Sequence, residues 1–146
     1  MMENKKMNKI YKLDGEFNKW KLEVLYEELI TAIKRKNLKE IKDIIKSGAS
    51  VNAKDSVKIT PLMWGARIGS VKIAKFLIEK GADVNAKDIG GMTALMYAKA
   101  YCHEKVARLL IESGARVKAR DIDGHDADWY SFVYGHIFKH EKDYYD

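Results

Sequence analysis

Proline and cysteine are almost missing from this chain of 146 residues: each occurs once, as Pro61 and Cys102. A single cysteine excludes an internal disulfide framework, and a reducing compartment is its simplest home. So little proline, with no long low-complexity run, argues against disorder outside the termini. No apolar run approaches the ~20 residues that span a bilayer. The first residues carry Lys5, Lys6, Lys9 and Lys12 with no apolar stretch behind them, which argues against a secretory signal. No lipidation motif is present. These absences together lead to the expectation of a cytoplasmic protein with no membrane role. A phosphate loop, a paired-cysteine zinc site and a nucleophile elbow are missing as well, so no catalytic centre and no cofactor are expected.

What is present fits one globular domain. The hydrophobic fraction of 47% is ordinary, and the length is enough to bury a sizeable core. Charge is distributed unevenly. Residues 121–146 hold seven acids against two bases, a net −5, so the overall +6 leaves +11 on residues 1–120. The body is basic and the end acidic.

The chain repeats itself every 33 residues. Gly48, Gly81 and Gly114 keep this spacing, as do Ala49, Ala82 and Ala115. Val51, Val84 and Val117 follow, then Asp55, Asp88 and Asp121. Ile45, Ile78 and Ile111 lie upstream in the same register. Thr60-Pro61-Leu62 matches Thr93-Ala94-Leu95, and Trp64, Tyr97 and Tyr130 align. Each unit has a physical reading. Val71, Ala74, Leu77 and Ile78 line one helical face, as do Leu38, Ile41, Ile44 and Ile45 in the first unit. The glycine after each stripe ends a helix in the left-handed region. Thr60 and Thr93 start the next one as N-caps, and Pro61 takes the first helical position. About ten turn-forming residues lie between stop and start.

These residues resemble the ankyrin repeat. Thr60-Pro61-Leu62-Met63-Trp64-Gly65-Ala66 is similar to that family's Thr-Pro-Leu-His signature, and Gly81-Ala82-Asp83-Val84-Asn85-Ala86 to its helix-ending loop. The lysine-rich, proline-poor composition resembles bacterial members of the family. The resemblance implies an all-α solenoid, with helix-turn-helix plus a β-hairpin-like loop in each 33-residue unit. About four units are expected: 24–54, 55–87, 88–120 and a C-terminal cap at 121–146, preceded by an N-terminal extension at 1–23 that could add a helix. Met63, Met96 and Trp129 stand where the family has a histidine that bonds neighbouring loops, so those loops are expected to be held more by packing. Lys58 occupies the tip position that Gly91 and Gly124 hold elsewhere. Phe17, Trp20 and Val24 are expected to form an added helical turn folded over the open N-terminal end. Trp129, Tyr130, Phe132, Tyr134 and Phe138 are expected to cover the preceding unit.

Three other chemistries are weaker readings. His136 and His140, four apart, would share a helical face as a metal pair, but carboxylate and thiol ligands are missing and packing is the stronger reading. Asp121, Asp123, Asp126 and Asp128 alternate like a calcium loop, yet the twelfth position is Phe132 rather than a glutamate. No metal is therefore expected. Cys102 and His103 are adjacent and would point apart on a helix; Cys102, standing where the family has a small glycine, is expected to be a buried thiol. Lys34, Arg35, Lys36, Lys39, Lys42 and Lys46 raise nucleic acid as a partner, but scattered lysines without base-reading residues favour a solvated surface, and no nucleic acid is expected.

What the resemblance implies instead is an unidentified protein partner, bound by a monomer on the concave face of loop tips and first helices. The tips map to Ser56, Val57 and Ile59; Ile89, Gly90 and Met92; Ile122, Asp123 and His125. The helix positions are Arg67 and Ile68, Ala100 and Tyr101, Val133 and Tyr134, with Lys34 and Arg35 in the first unit. Ile59, Ile89 and Met92 place apolar side chains where polar ones would favour solubility. Tyr101, Tyr134 and Arg67 are of the types that dominate interface energies. The expected function is thus non-catalytic protein binding.

Overall fold

The 33-residue spacing becomes a row of paired helices. A computed structural model describes residues 2–135, with side chains from residue 15 onward. Six helices run α1 (Met2–Lys34), α2 (Leu38–Lys46), α3 (Pro61–Ile68), α4 (Val71–Glu79), α5 (Ala94–Ala100) and α6 (Glu104–Glu112). A seventh, α7, covers residues 127–135, and no strand occurs among the described residues. The protein is an all-α solenoid. Phe138, His136 and His140 lie outside the described residues.

Helix starts are fixed by side chains. The Thr60 and Thr93 hydroxyls accept from the backbone N–H of Met63 and Met96 at 3.3 and 3.4 Å. The methionines reciprocate, each Sδ accepting from the threonine N–H at 3.4 Å. This is a capping box in which sulfur replaces the usual Glu or Gln oxygen. Ser70 caps α4 in the ordinary way, at 3.3 Å from Ile73 N. The second helices end at Gly48, Gly81 and Gly114, all at positive φ (107°, 92° and 96°). Ala82 N–H then donates back to Leu77 O at 3.0 Å, closing the last turn.

The first helices form one layer, α3 packing on both α1 and α5, while α4 packs on α6 in the other. Their apolar stripes meet between the layers. Leu29, Ile33, Ile41, Leu62, Ile73, Leu77, Leu95 and Leu110 are fully buried there. Burying a side chain of this size contributes ~1.5–3 kcal/mol each, and each unit touches mainly its neighbours.

The loops between units, the arms, are joined by hydrogen bonds and not by packing alone, which corrects the expectation drawn from Met63 and Met96. At the tips, Ile89 N–H donates to Val57 O and Ile122 N–H to Gly90 O, both at 3.0 Å. At the base, Asn52 spans two units: its amide donates to Gly81 O at 3.0 Å and its oxygen accepts from Asp83 N at 2.8 Å. Asn85 repeats both bonds with Gly114 O and Arg116 N. Lys58 does form its tip, in the left-handed region at φ 61°, as Gly91 and Gly124 do at 76° and 84°. A non-glycine residue there costs roughly 1–2 kcal/mol. Lys58→Gly is therefore expected to raise stability by about 1 kcal/mol, after the added unfolded-state entropy of glycine is set against that gain; urea unfolding checks this.

Both ends differ from expectation. Phe17, Trp20 and Val24 do not form a separate turn folded back over the first unit. The boundary between 23 and 24 falls inside α1, one continuous helix, and Phe17 and Trp20 stand 60% and 58% exposed on it. At the other end, Tyr130 packs on the core, but Trp129, Phe132 and Tyr134 are all exposed. Trp129 stacks on His125 instead, with ring centroids 3.6 Å apart. Cys102 is exposed rather than buried, because φ 58° turns it outward where the chain passes from α5 to α6.

Candidate functional site

Each arm is built around its periodic aspartate. Asp88 Oδ1 accepts from the N–H of Gly90 and Met92 at 2.8 and 2.9 Å. Asp55 does the same for Val57 and Ile59, and Asp121 for Asp123 and His125. These bonds bend the chain into the tip and leave Val57, Ile89 and Ile122 exposed at its apex. A tyrosine from the following helix locks the other oxygen: Tyr97 Oη donates to Asp88 Oδ2 at 2.6 Å, and Tyr130 Oη to Asp121 Oδ2 at 2.5 Å. In the first full unit the aligned residue is Trp64, and a tyrosine from α1, Tyr26, donates to Ile59 O at 2.9 Å.

Burial and the bond to Asp88 push the Tyr97 hydroxyl well above its ordinary value of 10.0; burial and Asp121 do the same to Tyr130. The folded state thus favours the neutral phenols. Their contribution to stability is fully present below pH 10.0, and it is lost as pH rises from there toward the raised folded values. The urea midpoint is expected to fall as pH rises above about 10. Tyr97→Phe should be less stable near neutrality but show a flatter decline. An equal decline in the two proteins would assign the loss to other groups. Burial opposes ionisation of Asp121, but the bonds from Tyr130, His125 and Asp123 outweigh it and hold the carboxyl below the usual range.

Asp121, Asp123 and His125 bring one donor atom each within 4.8 Å of one another. Asp121 Oδ1 accepts the two turn N–H bonds and Oδ2 the tyrosine hydroxyl, the same set that Asp88 accepts in an arm lacking the other two donors. The arm accounts for this arrangement without a metal.

The residues expected to meet a partner divide into three groups. Ile89 is 66% exposed at its tip, and Ile122 and Val57, on the neighbouring tips, are 75% and 40% exposed. Ile59, Ile68 and Met92 are half-buried and pack against the core, so the inner arm positions serve the fold more than the surface. His125 is half-buried against Trp129, and Tyr134 stacks on Tyr130.

The third group is gathered by an indole ring that the periodic pattern marks only as an aligned aromatic. Lys34 Nζ lies 4.3 Å from the Trp64 ring centre, and the Arg67 guanidinium 4.9 Å. Arg67 also lies 5.2 Å from the Tyr101 ring, and Tyr101 stacks on His103. Arg35 is exposed beside Lys34. His103 ties the row together, its Nε2 lying 2.9 Å from Arg67 O. A Cβ at Gly69 would sit 2.3 Å from the His103 ring, so glycine is required there for this crossing. Cys102 thus forms the turn, while His103 makes the inter-unit bond.

No described helix is long and apolar enough to cross a membrane. The ankyrin-repeat family model matches residues 29–121 in three copies, more than half of the chain. No curated protein matches the sequence. Ankyrin repeats are generally protein–protein interaction modules and typically lack enzymatic activity. With the paired helices, the linked arms and this match in agreement, the chain belongs to the ankyrin-repeat family.

Proposed function

We propose that this protein is a non-catalytic binding module that engages a partner protein in the reducing interior of the cell. Contact is made through the arm tips and the row of first helices. The observation that carries the reading is the run of exposed aliphatic side chains at the tips of linked arms, Val57, Ile89 and Ile122. Single exposed apolars are common on protein surfaces. These three stand on neighbouring arms joined by backbone hydrogen bonds, so their spacing is held in place before any partner arrives. Lys34, Arg35, Arg67, Tyr101, His125 and Tyr134 extend the surface, while Ile59, Ile68 and Met92 support it from beneath.

A photoreactive amino acid placed at Ile89 tests the site. In native lysate it should give protein adducts that the same group at Arg108, exposed on α6, does not give. Equal labelling from both positions would remove the arm tips as the contact.

A further inference from the structure

We propose that the Trp64 platform binds a carboxylate-rich segment of the partner, with the Arg67 guanidinium as its central contact. This deepens the binding reading above and rests on it. The starting point is a departure from the repeat. The units at 88–120 and 121–146 place tyrosine at the periodic aromatic position, Tyr97 and Tyr130, where it locks the arm aspartate. The first full unit has tryptophan, which presents a ring to two cations at once, Lys34 and Arg67.

The arrangement gathers two positive charges with no acid beside them among the described residues. Two positive groups share one indole face region, and neither side chain has a hydrogen bond or ion pair among the described residues, whereas Lys99 and Lys118 have acidic partners. Ring contacts orient a guanidinium by its face and leave its N–H edge unspent. The Arg67 fork, held between Trp64 and Tyr101, is therefore ready to donate two parallel bonds to one carboxylate. Such bidentate pairs are among the stronger polar contacts, and here little side-chain entropy remains to be lost. Lys34 and Arg35 add positive charge beside it for the next acidic residue. The basic balance of residues 1–120 would speed the encounter.

The test is a fluorescence anisotropy titration with a labelled hexaglutamate peptide, and hexaglutamine as the neutral control, at about 0.15 M salt. Wild-type protein should bind hexaglutamate and not hexaglutamine. Arg67→Gln should weaken binding about ten-fold, and Arg67→Lys should recover only part of it, because charge returns but the fork does not. Trp64→Tyr should also weaken binding while folding normally, since tyrosine holds the aligned position in two other units. Lys105→Gln on α6 should change nothing. Overturning results are equal hexaglutamate affinity in Arg67→Gln and wild type, or tighter binding of a single-stranded oligonucleotide of equal charge. Native partner capture separates this claim from the broader one. Capture lost with Ile89→Asp but kept with Arg67→Gln would refute the carboxylate contact alone. Capture lost with neither would refute the binding face as well.

Discussion

Asp88→Ala should lower stability by roughly 2–4 kcal/mol and weaken partner binding with it. One oxygen of this carboxylate accepts two backbone N–H groups and the other takes the Tyr97 hydroxyl. Alanine removes all three acceptor contacts. The half-buried Tyr97 hydroxyl then loses its partner, and two tip N–H groups must turn to water. The tip holds Ile89 in place and supplies Gly90 O to the next arm, so the loss spreads to a neighbouring unit. Asp88→Asn is the informative companion. It keeps an oxygen for the two N–H groups and leaves an amide able to donate to the tyrosine oxygen. It should therefore recover most of the lost stability. Urea unfolding of the three proteins, read by far-ultraviolet circular dichroism, measures the effect. An Asn variant as unstable as the Ala variant would mean that the negative charge, not the bonding pattern, holds the arm.

Gly91→Ala comes next, at about 2–4 kcal/mol. Two costs add at this position. The backbone sits at φ 76°, which costs an L-residue roughly 1–2 kcal/mol. The new Cβ would also meet Asp121 Cα and Ile122 N at 3.0 Å, and both are backbone atoms of the adjoining arm that cannot swing aside. Relieving the contact means separating the arms and stretching the bond from Ile122 N–H to Gly90 O, with an overpacking cost of roughly 1–3 kcal/mol. Gly124→Ala isolates the first cost, because Gly124 has the same handedness at φ 84° and nothing within 4 Å of its Cβ position. The difference between the two variants in urea unfolding is the price of crowding the arms. Equal losses would show that the arms yield freely and do not hold their tips in fixed register.

The repeat was legible because periodic backbone events need particular residue types. A helix stop at positive φ calls for Gly48, Gly81 and Gly114, and a helix start calls for Thr60 and Thr93; their common spacing gave the architecture. Less legible was anything decided by where a side chain turns. Ile59 and Met92 look like exposed tip residues by position, yet the arm's bend points them at the core while Ile89 faces solvent. Cys102 aligns with a small residue, which suggests burial, but the left-handed turn at that position sets it outside. Phe17, Trp20 and Val24 carry a helix signal that does not say which way the helix runs; the continuity of α1 sets that and leaves Phe17 and Trp20 exposed. Trp64 was aligned with two tyrosines and so read as equivalent. Its platform depends on Lys34 and Arg67, which come from different units. Such contacts across the repeat have no signature in its period. Asn52 and Asn85 do keep the period and could have been found by it. Their bonds to the following unit explain why that spacing carries an amide.

The binding claim meets its most direct test in affinity capture from native cells, followed by quantitative mass spectrometry. Wild-type protein would be compared with an Ile89→Asp, Ile122→Asp variant that keeps the helix content. Both side chains are exposed, at 66% and 75%, so the fold should tolerate the change. A protein retained stoichiometrically by the wild type and lost from the variant is the expected result. Retention of the same protein at the same level by both would contradict the account and place the contact elsewhere on the solenoid.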